Sequence, residues 1–255
     1  MKAPDILRLV YRNVVVNTDV GTLIILVGLP VFYLVFLGYG FQAFAPASST
    51  PHAVQRFMAP GIVALQTVMA GTVGGSMLWA DRRWGMLAQL LVGPFTRLQY
   101  LLGIMLTSVV FGLVGAGVMM GAAYLLIGSS SVTAIGAVSI LAAILVGSLL
   151  FGSLMLFISA LVKSNNAYNS IQILILFVVN FASTTFYPIS SSLPAPIKAL
   201  FEVNPLTYLA NTVRDGYMGT VTTGDAYQLL GLTAVMFGFL VLAVRSYMRS
   251  GVSFS

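Results

Sequence analysis

The side chains that could do chemistry are few and scattered. In 255 residues there is no cysteine, a single histidine and only six carboxylates, which excludes disulfides, thiolate metal sites and cysteine nucleophiles. The histidine, His52, falls in a polar stretch over residues 42–56 with Pro46 and Pro51. No Ser-His-Asp arrangement and no His cluster of metal-ligand spacing surrounds it. No Gly-Lys pair occurs, so a phosphate-cradling G-x-x-x-x-G-K-[ST] loop is absent, and the chain is read as a non-enzyme that cannot hydrolyse ATP unaided. The carboxylates, Asp5, Asp19, Asp81, Glu202, Asp215 and Asp225, stand at the ends of apolar runs or in one broken segment. Proton-coupled transport normally needs an ionisable group at membrane depth, so this placement argues against it. Polar residues inside the runs are uncharged: Gln66, Asn169, Gln172 and Asn180. Each is read either as lining a path or as an interhelical hydrogen bond worth about 0.6 kcal/mol. Phe32, Tyr33 and Phe36 carry the same two readings, path or packing.

The elements that hold these residues follow from composition. Hydrophobic residues make up 58% of the chain and charged residues 7%, too few charges to cover a water-facing surface, so the chain is an all-α integral membrane protein of one domain, residues 1–255. At about 20 apolar residues per crossing, six spans are predicted, over residues 19–41, 57–79, 98–127, 134–162, 167–187 and 226–244. Pro30 is expected to kink the first, while Gly71-x-x-x-Gly75 and Gly117-x-x-x-Gly121 allow close helix approach. Before them, residues 3–17 place Leu7, Val10, Tyr11 and Val14 on one stripe with Asp5, Arg8 and Arg12 turned away. That pattern predicts an interfacial amphipathic helix with its arginines among lipid phosphates, rather than a cleavable leader. A net charge of +6 would fit nucleic acid in a soluble protein; here it reflects basic residues gathered on inner loops. With both termini inside, nine of the twelve basic residues are inside, among them Lys2, Arg8, Arg12, Arg82, Arg83, Arg97, Lys163, Arg245 and Arg249, leaving Arg56, Lys198 and Arg214 outside.

Two segments break the pattern of plain spans. Residues 81–97 hold Arg82, Arg83 and Arg97 around a short amphipathic run closed by Gly93-Pro94, which predicts a structured inner loop. Its helix, expected from 83 to 92, would present Trp84, Leu87 and Leu91 on one face. Residues 188–218 leave an apolar run at Tyr187-Pro188 and break again at Asn204-Pro205. Asn204 is the expected cap of a half-helix over 206–218, with Pro205 at its first position. Irregular backbone cannot face lipid, so this segment belongs at the outer interface or inside protein. Glu202 and Arg214 fall close enough there for pairing to be possible.

Phe186-Tyr187-Pro188-Ile189-Ser190, Leu193-Pro194, Asn204-Pro205-Leu206-Thr207-Tyr208 and Arg214 closely resemble the end of the permease subunits of type-2 ABC exporters, most of all the drug-resistance group related to the daunorubicin exporter. Arg82-Arg83-Trp84-Gly85-Met86-Leu87, with Leu90-Leu91 and Pro94, resembles that family's coupling helix. The resemblance implies a permease in the plasma membrane of a prokaryote, working as a homodimer or heterodimer among membrane lipids with two copies of a separate ABC ATPase. ATP and Mg would sit on the ATPase, with no cofactor in this chain and no nucleic-acid partner. Arg82, Arg83, Trp84, Gly85, Leu87, Leu91 and Pro94 would couple to the ATPase. Tyr187, Pro188, Glu202, Asn204, Pro205, Tyr208 and Arg214 would form an outer re-entrant gate. The cargo would be an amphipathic drug, lipid or glycolipid. An ATP-independent secondary transporter or channel is the competing reading, and a membrane scaffold a third.

Overall fold

A computed structural model describes residues 3–44, 52–128, 131–190 and 192–249; Lys2, Pro46 and Pro51 lie outside them. Among the described residues there are helices and no strands, as the composition requires. They are α1 (Ala3–Val16), α2 (Val20–Ala43), α3 (Ala53–Arg83), α4 (Met86–Val92), α5 (Arg97–Ile127), α6 (Ala134–Leu161), α7 (Asn165–Phe181), α8 (Ala195–Val203), α9 (Pro205–Met218) and α10 (Thr223–Arg249). Five of them, α2, α3, α5, α6 and α10, are long and apolar enough to cross a membrane. The predicted span over 167–187 becomes α7, 17 residues ending at Phe181, about 26 Å long and at the short end of what spans.

Helix α3 is the centre of the molecule. Within its apolar window 89% of residues are buried, against 17% for α2 and for α10. Its glycines explain the difference. A Cβ on Gly71 would lie 2.6 Å from the backbone of Phe151, and one on Gly75 would lie 2.7 Å from Met155 Cβ, so α3 and α6 meet nearly backbone to backbone. The second small-residue motif does no such work: Gly117 and Gly121 face open space.

The expected kink at Pro30 takes another form. α2 widens into π turns at Ile24–Gly28 and Tyr33–Leu37, on either side of the proline. The first relieves the carbonyls that Pro30 cannot satisfy; nothing in the sequence accounts for the second. The polar stretch over 42–56 is also shorter than expected. α3 begins at Ala53, after His52 in a left-handed conformation, and the Gln42 side chain accepts from Val54 N at 3.1 Å.

Hydrogen bonds at one end and a close backbone approach at the other define two ends of the bundle. At one, Arg82 Nη1 donates to the Ser159 and Ala160 carbonyls at the end of α6, at 3.1 and 3.3 Å. Arg97 Nη1 donates to Met248 O near the end of α10, at 3.2 Å. At the other, Gly136 at the start of α6 meets the Gly216 carbonyl near the end of α9. Among the described residues, Arg82, Arg83 and Arg97 stand at the first end, and Arg56, at the start of α3, and Arg214, which donates to Phe57 O, at the second. Helix α1 forms as expected, with Leu7 and Tyr11 facing outward, but Leu9 and Asn13 are buried on α5, and Arg12 pairs with Asp81 where lipid phosphate was expected.

Candidate functional site

Three places gather the residues singled out by the sequence: the loop around α4, the segment between α7 and α9, and a cleft between α2, α3 and α7. In the first, α3 runs through Arg83, and the chain turns at Trp84-Gly85, where Gly85 has φ +70°, a conformation glycine adopts without strain. The helix therefore starts at Met86 rather than at Arg83. It ends at Gly93-Pro94, and Thr96 with Gln99 forms a reciprocal capping box that starts α5.

This later start rearranges the expected face. Leu87 is 1% exposed and belongs to the protein's own core, while Leu91 is half-buried. Arg82 is 4% exposed and spent on the last carbonyls of α6, where a cation also complements the helix dipole. What faces outward is Trp84, 75% exposed, with Met86, Gln89, Val92 and Pro94. Arg83 lies over both Trp79 and Trp84, 5.3 Å from each ring centre, holding the tryptophan pair by cation–π attraction. The outward surface is apolar with one cation at its edge, anchored at its stem by buried polar bonds.

The segment between α7 and α9 is tied at Asn204. As expected, Asn204 caps α9, its Oδ1 accepting from Leu206 N at 3.0 Å, with Pro205 at the first helical position. Its amide also donates to Val179 O and Ala182 O, at 2.8 and 2.7 Å. One side chain thus satisfies both the start of α9 and the orphan carbonyls at the end of α7. Beyond α7, Ser183 Oγ donates to Asn180 O at 2.8 Å and accepts from Thr185 N at 3.3 Å, while Thr184 Oγ1 donates across to Asn211 Oδ1 of α9 at 2.9 Å. Two tyrosines close the turns in the same way: Tyr187 donates to Phe181 O, and Tyr208 to Glu202 O at 2.5 Å. Pro188 sits beside them in an aromatic pocket with Phe41, Phe57, Phe186 and Tyr187.

Arg214 does not pair with Glu202, which meets Lys198 instead at 3.7 Å. Arg214 is 8% exposed, and its guanidinium reaches Phe57 O at 3.2 Å, Asn211 Oδ1 at 2.8 Å and Thr184 O at 2.7 Å, lying 3.8 Å above the Phe57 ring. A buried cation needs such partners to offset its desolvation. Through them one side chain joins α9, the start of α3 and the end of the α7 segment. Its partners Thr184 and Asn211 were missed in the sequence; Asn211, one turn before a buried arginine, is the available signal.

The cleft holds about 200 Å³ and is walled mainly by Ile25, Leu29, Met69, Leu176 and Phe177, with Tyr33, Thr72, Gln172 and Asn180 as its polar groups. Tyr33, Gln172 and Asn180 were expected to line a path; Thr72 was not singled out, being one threonine among many. Gln172 Oε1 accepts from Ser76 Oγ at 3.4 Å, and Asn180 Oδ1 has no hydrogen-bond partner among the described residues. Gln66 lies elsewhere, fully buried between α3 and α5 with its oxygen against Gly115. Asn169 is exposed near the start of α7, and Phe32 and Phe36 stack on each other, 4.3 Å between centres, on the outward face of α2. None of these four lines the cleft.

These features define a multi-pass helical membrane protein with a structured loop at its basic end and a broken, capped helix pair at the other. The chain belongs to the ABC-2 type transporter family, which matches residues 7–218. It is accordingly a membrane permease of an ABC transporter and not the nucleotide-binding component. No curated protein matches the sequence.

Proposed function

We propose that this chain is the permease of an ATP-driven exporter, receiving the work of a separate ABC ATPase through the surface around α4. The observation that carries the reading is that surface: Trp84, Met86 and Val92 are exposed beside Arg83 at the basic end of a membrane bundle. An aromatic and aliphatic patch on a short helix with an anchored stem suits a groove on a protein partner. The basic end is cytoplasmic, with both termini there, and the membrane is the plasma membrane of a prokaryote. ATP and Mg²⁺ belong to the ATPase, two copies of which serve two permeases, identical or sister chains.

Helices α2 and α7 leave most of their surface uncovered, and the cleft between them offers aromatic and aliphatic walls with four neutral polar groups. Paired across a second copy, these faces form the path for an amphipathic drug, lipid or glycolipid leaving the cytoplasm or inner leaflet. The segment joined by Asn204 and Arg214 closes its outer end. The test is co-purification of the tagged chain with its ATPase, followed by efflux of an amphipathic dye from reconstituted vesicles. Efflux that requires ATP supports the reading. Efflux without ATP, driven by an ion gradient, would move the secondary-transporter reading ahead.

A further inference from the structure

One cluster of charged side chains lies outside the loop surface, the outer segment and the cleft. Arg12 of α1 makes two parallel bonds to Asp81 of α3, Nη1 to Oδ2 at 2.8 Å and Nη2 to Oδ1 at 2.9 Å. The fully buried Tyr100 of α5 donates to the same Oδ2 at 2.8 Å. The hydrogen bond to Asp81 raises the Arg12 guanidinium above its usual value. Beside it, Asn13 Nδ2 donates to Thr107 Oγ1 at 3.3 Å, and Leu9 packs where a Cβ on Gly103 would come within 3.0 Å of its own Cβ.

Helix α1 is therefore fixed to both helices that carry α4. Asp81 lies in the last turn of α3, just before the Trp84-Gly85 turn, and Tyr100 in the first turn of α5, just after the loop. A lipid anchor needs only the outward Leu7, Tyr11 and Val15. A two-bonded ion pair with fixed geometry adds orientation that lipid anchoring does not require.

We propose that Arg12, Asp81 and Tyr100 form a clamp that makes α1 and the stem of α4 one moving body, with Asp81 as a positioning residue in coupling. The proposal rests on the reading of α4 as the ATPase-docking element. When the ATPase displaces α4, α1 travels with it along the membrane surface.

The test uses the full chain with its ATPase in vesicles, comparing wild type, Asp81→Asn, Arg12→Gln and the swapped pair Arg12→Asp/Asp81→Arg. The single variants bind the ATPase as wild type does, but the effect of the permease on the ATPase's hydrolysis rate falls about tenfold, and the swap restores most of it. Spin labels at Tyr11→Cys and Ala88→Cys, in a chain with no native cysteine, give a second measurement. Their separation stays fixed between nucleotide-free and ATP-trapped states, and broadens in Asp81→Asn. If the swapped pair does not fold, these distances decide. Single variants that alter hydrolysis as wild type does, or a separation that changes on ATP trapping with the clamp intact, would overturn the clamp. A wild-type chain that binds no ATPase overturns the functional reading, and the clamp's role with it.

Discussion

Leu87 and Trp84 are three positions apart and have opposite fates. Because Leu87 lies in the core, Leu87→Asp loses burial of about 2 kcal/mol and adds a buried charge, so it should fail as a folding mutant, with low yield and a depressed thermal midpoint. Trp84→Ala should leave the midpoint unchanged and weaken ATPase binding by at least 2 kcal/mol, if it is a hot spot of that interface. Equal midpoints for the two variants would contradict this assignment. Asn204 separates its roles in the same manner. Asn204→Asp keeps the acceptor for Leu206 N but cannot donate to Val179 and Ala182, whereas Asn204→Leu loses all three bonds. At about 1 kcal/mol per bond, the leucine variant should lose up to about 3 kcal/mol in thermal unfolding, and the aspartate variant, whose nearly buried carboxylate would face the Val179 and Ala182 carbonyls, should lose at least as much. The cap was legible because Asn-Pro is a local signal; the two donated bonds depend on where α7 ends, which no local pattern states.

Helix boundaries set the errors made at the scale of elements. A periodic stripe of Trp84, Leu87 and Leu91 requires one continuous helix, and the left-handed Gly85 divides it, turning Leu87 inward. Likewise α7 stops at Phe181, beyond which the Ser183 hydroxyl supplies competing local bonds, donating to Asn180 O and accepting from Thr185 N, a tendency that apolar run length does not register. The joined outer segment leads to a prediction about α3. A Cβ on Gly61 would lie 2.4 Å from Thr185 O and 2.8 Å from Thr185 Cα, backbone atoms that cannot turn aside. Gly61→Ala should therefore force the segment off α3 and destabilise the protein by about 1–3 kcal/mol, whereas Gly117→Ala, facing open space, should not. Thermal unfolding of the two in one detergent checks the contrast.

The molecule as a whole was legible in outline because bilayer thickness and charge bias act on every span alike: the helix order, the two ends and the sorting of basic residues all follow from hydropathy and Lys and Arg placement. The central place of α3 was not, since glycine spacing shows that helices can approach and not which ones do. Of two similar motifs, only Gly71-x-x-x-Gly75 packs on another helix. Orientation is open to a direct measurement. Single cysteines at His52 and Lys198 should react with an impermeant thiol reagent in intact cells, and one at Gln89 only after permeabilisation. A reagent that reaches position 89 first would invert the topology. The division between a glycine-packed α3–α6 pair and the thinly held α2 and α7 also bears on descent. Helix α7 buries only Tyr168 and Asn180, so most substitutions along its cleft wall leave folding intact. On the proposed reading of the cleft as the cargo path, a lineage of such chains should be able to exchange one cargo for another by drift on that wall, while α3 tolerates little change.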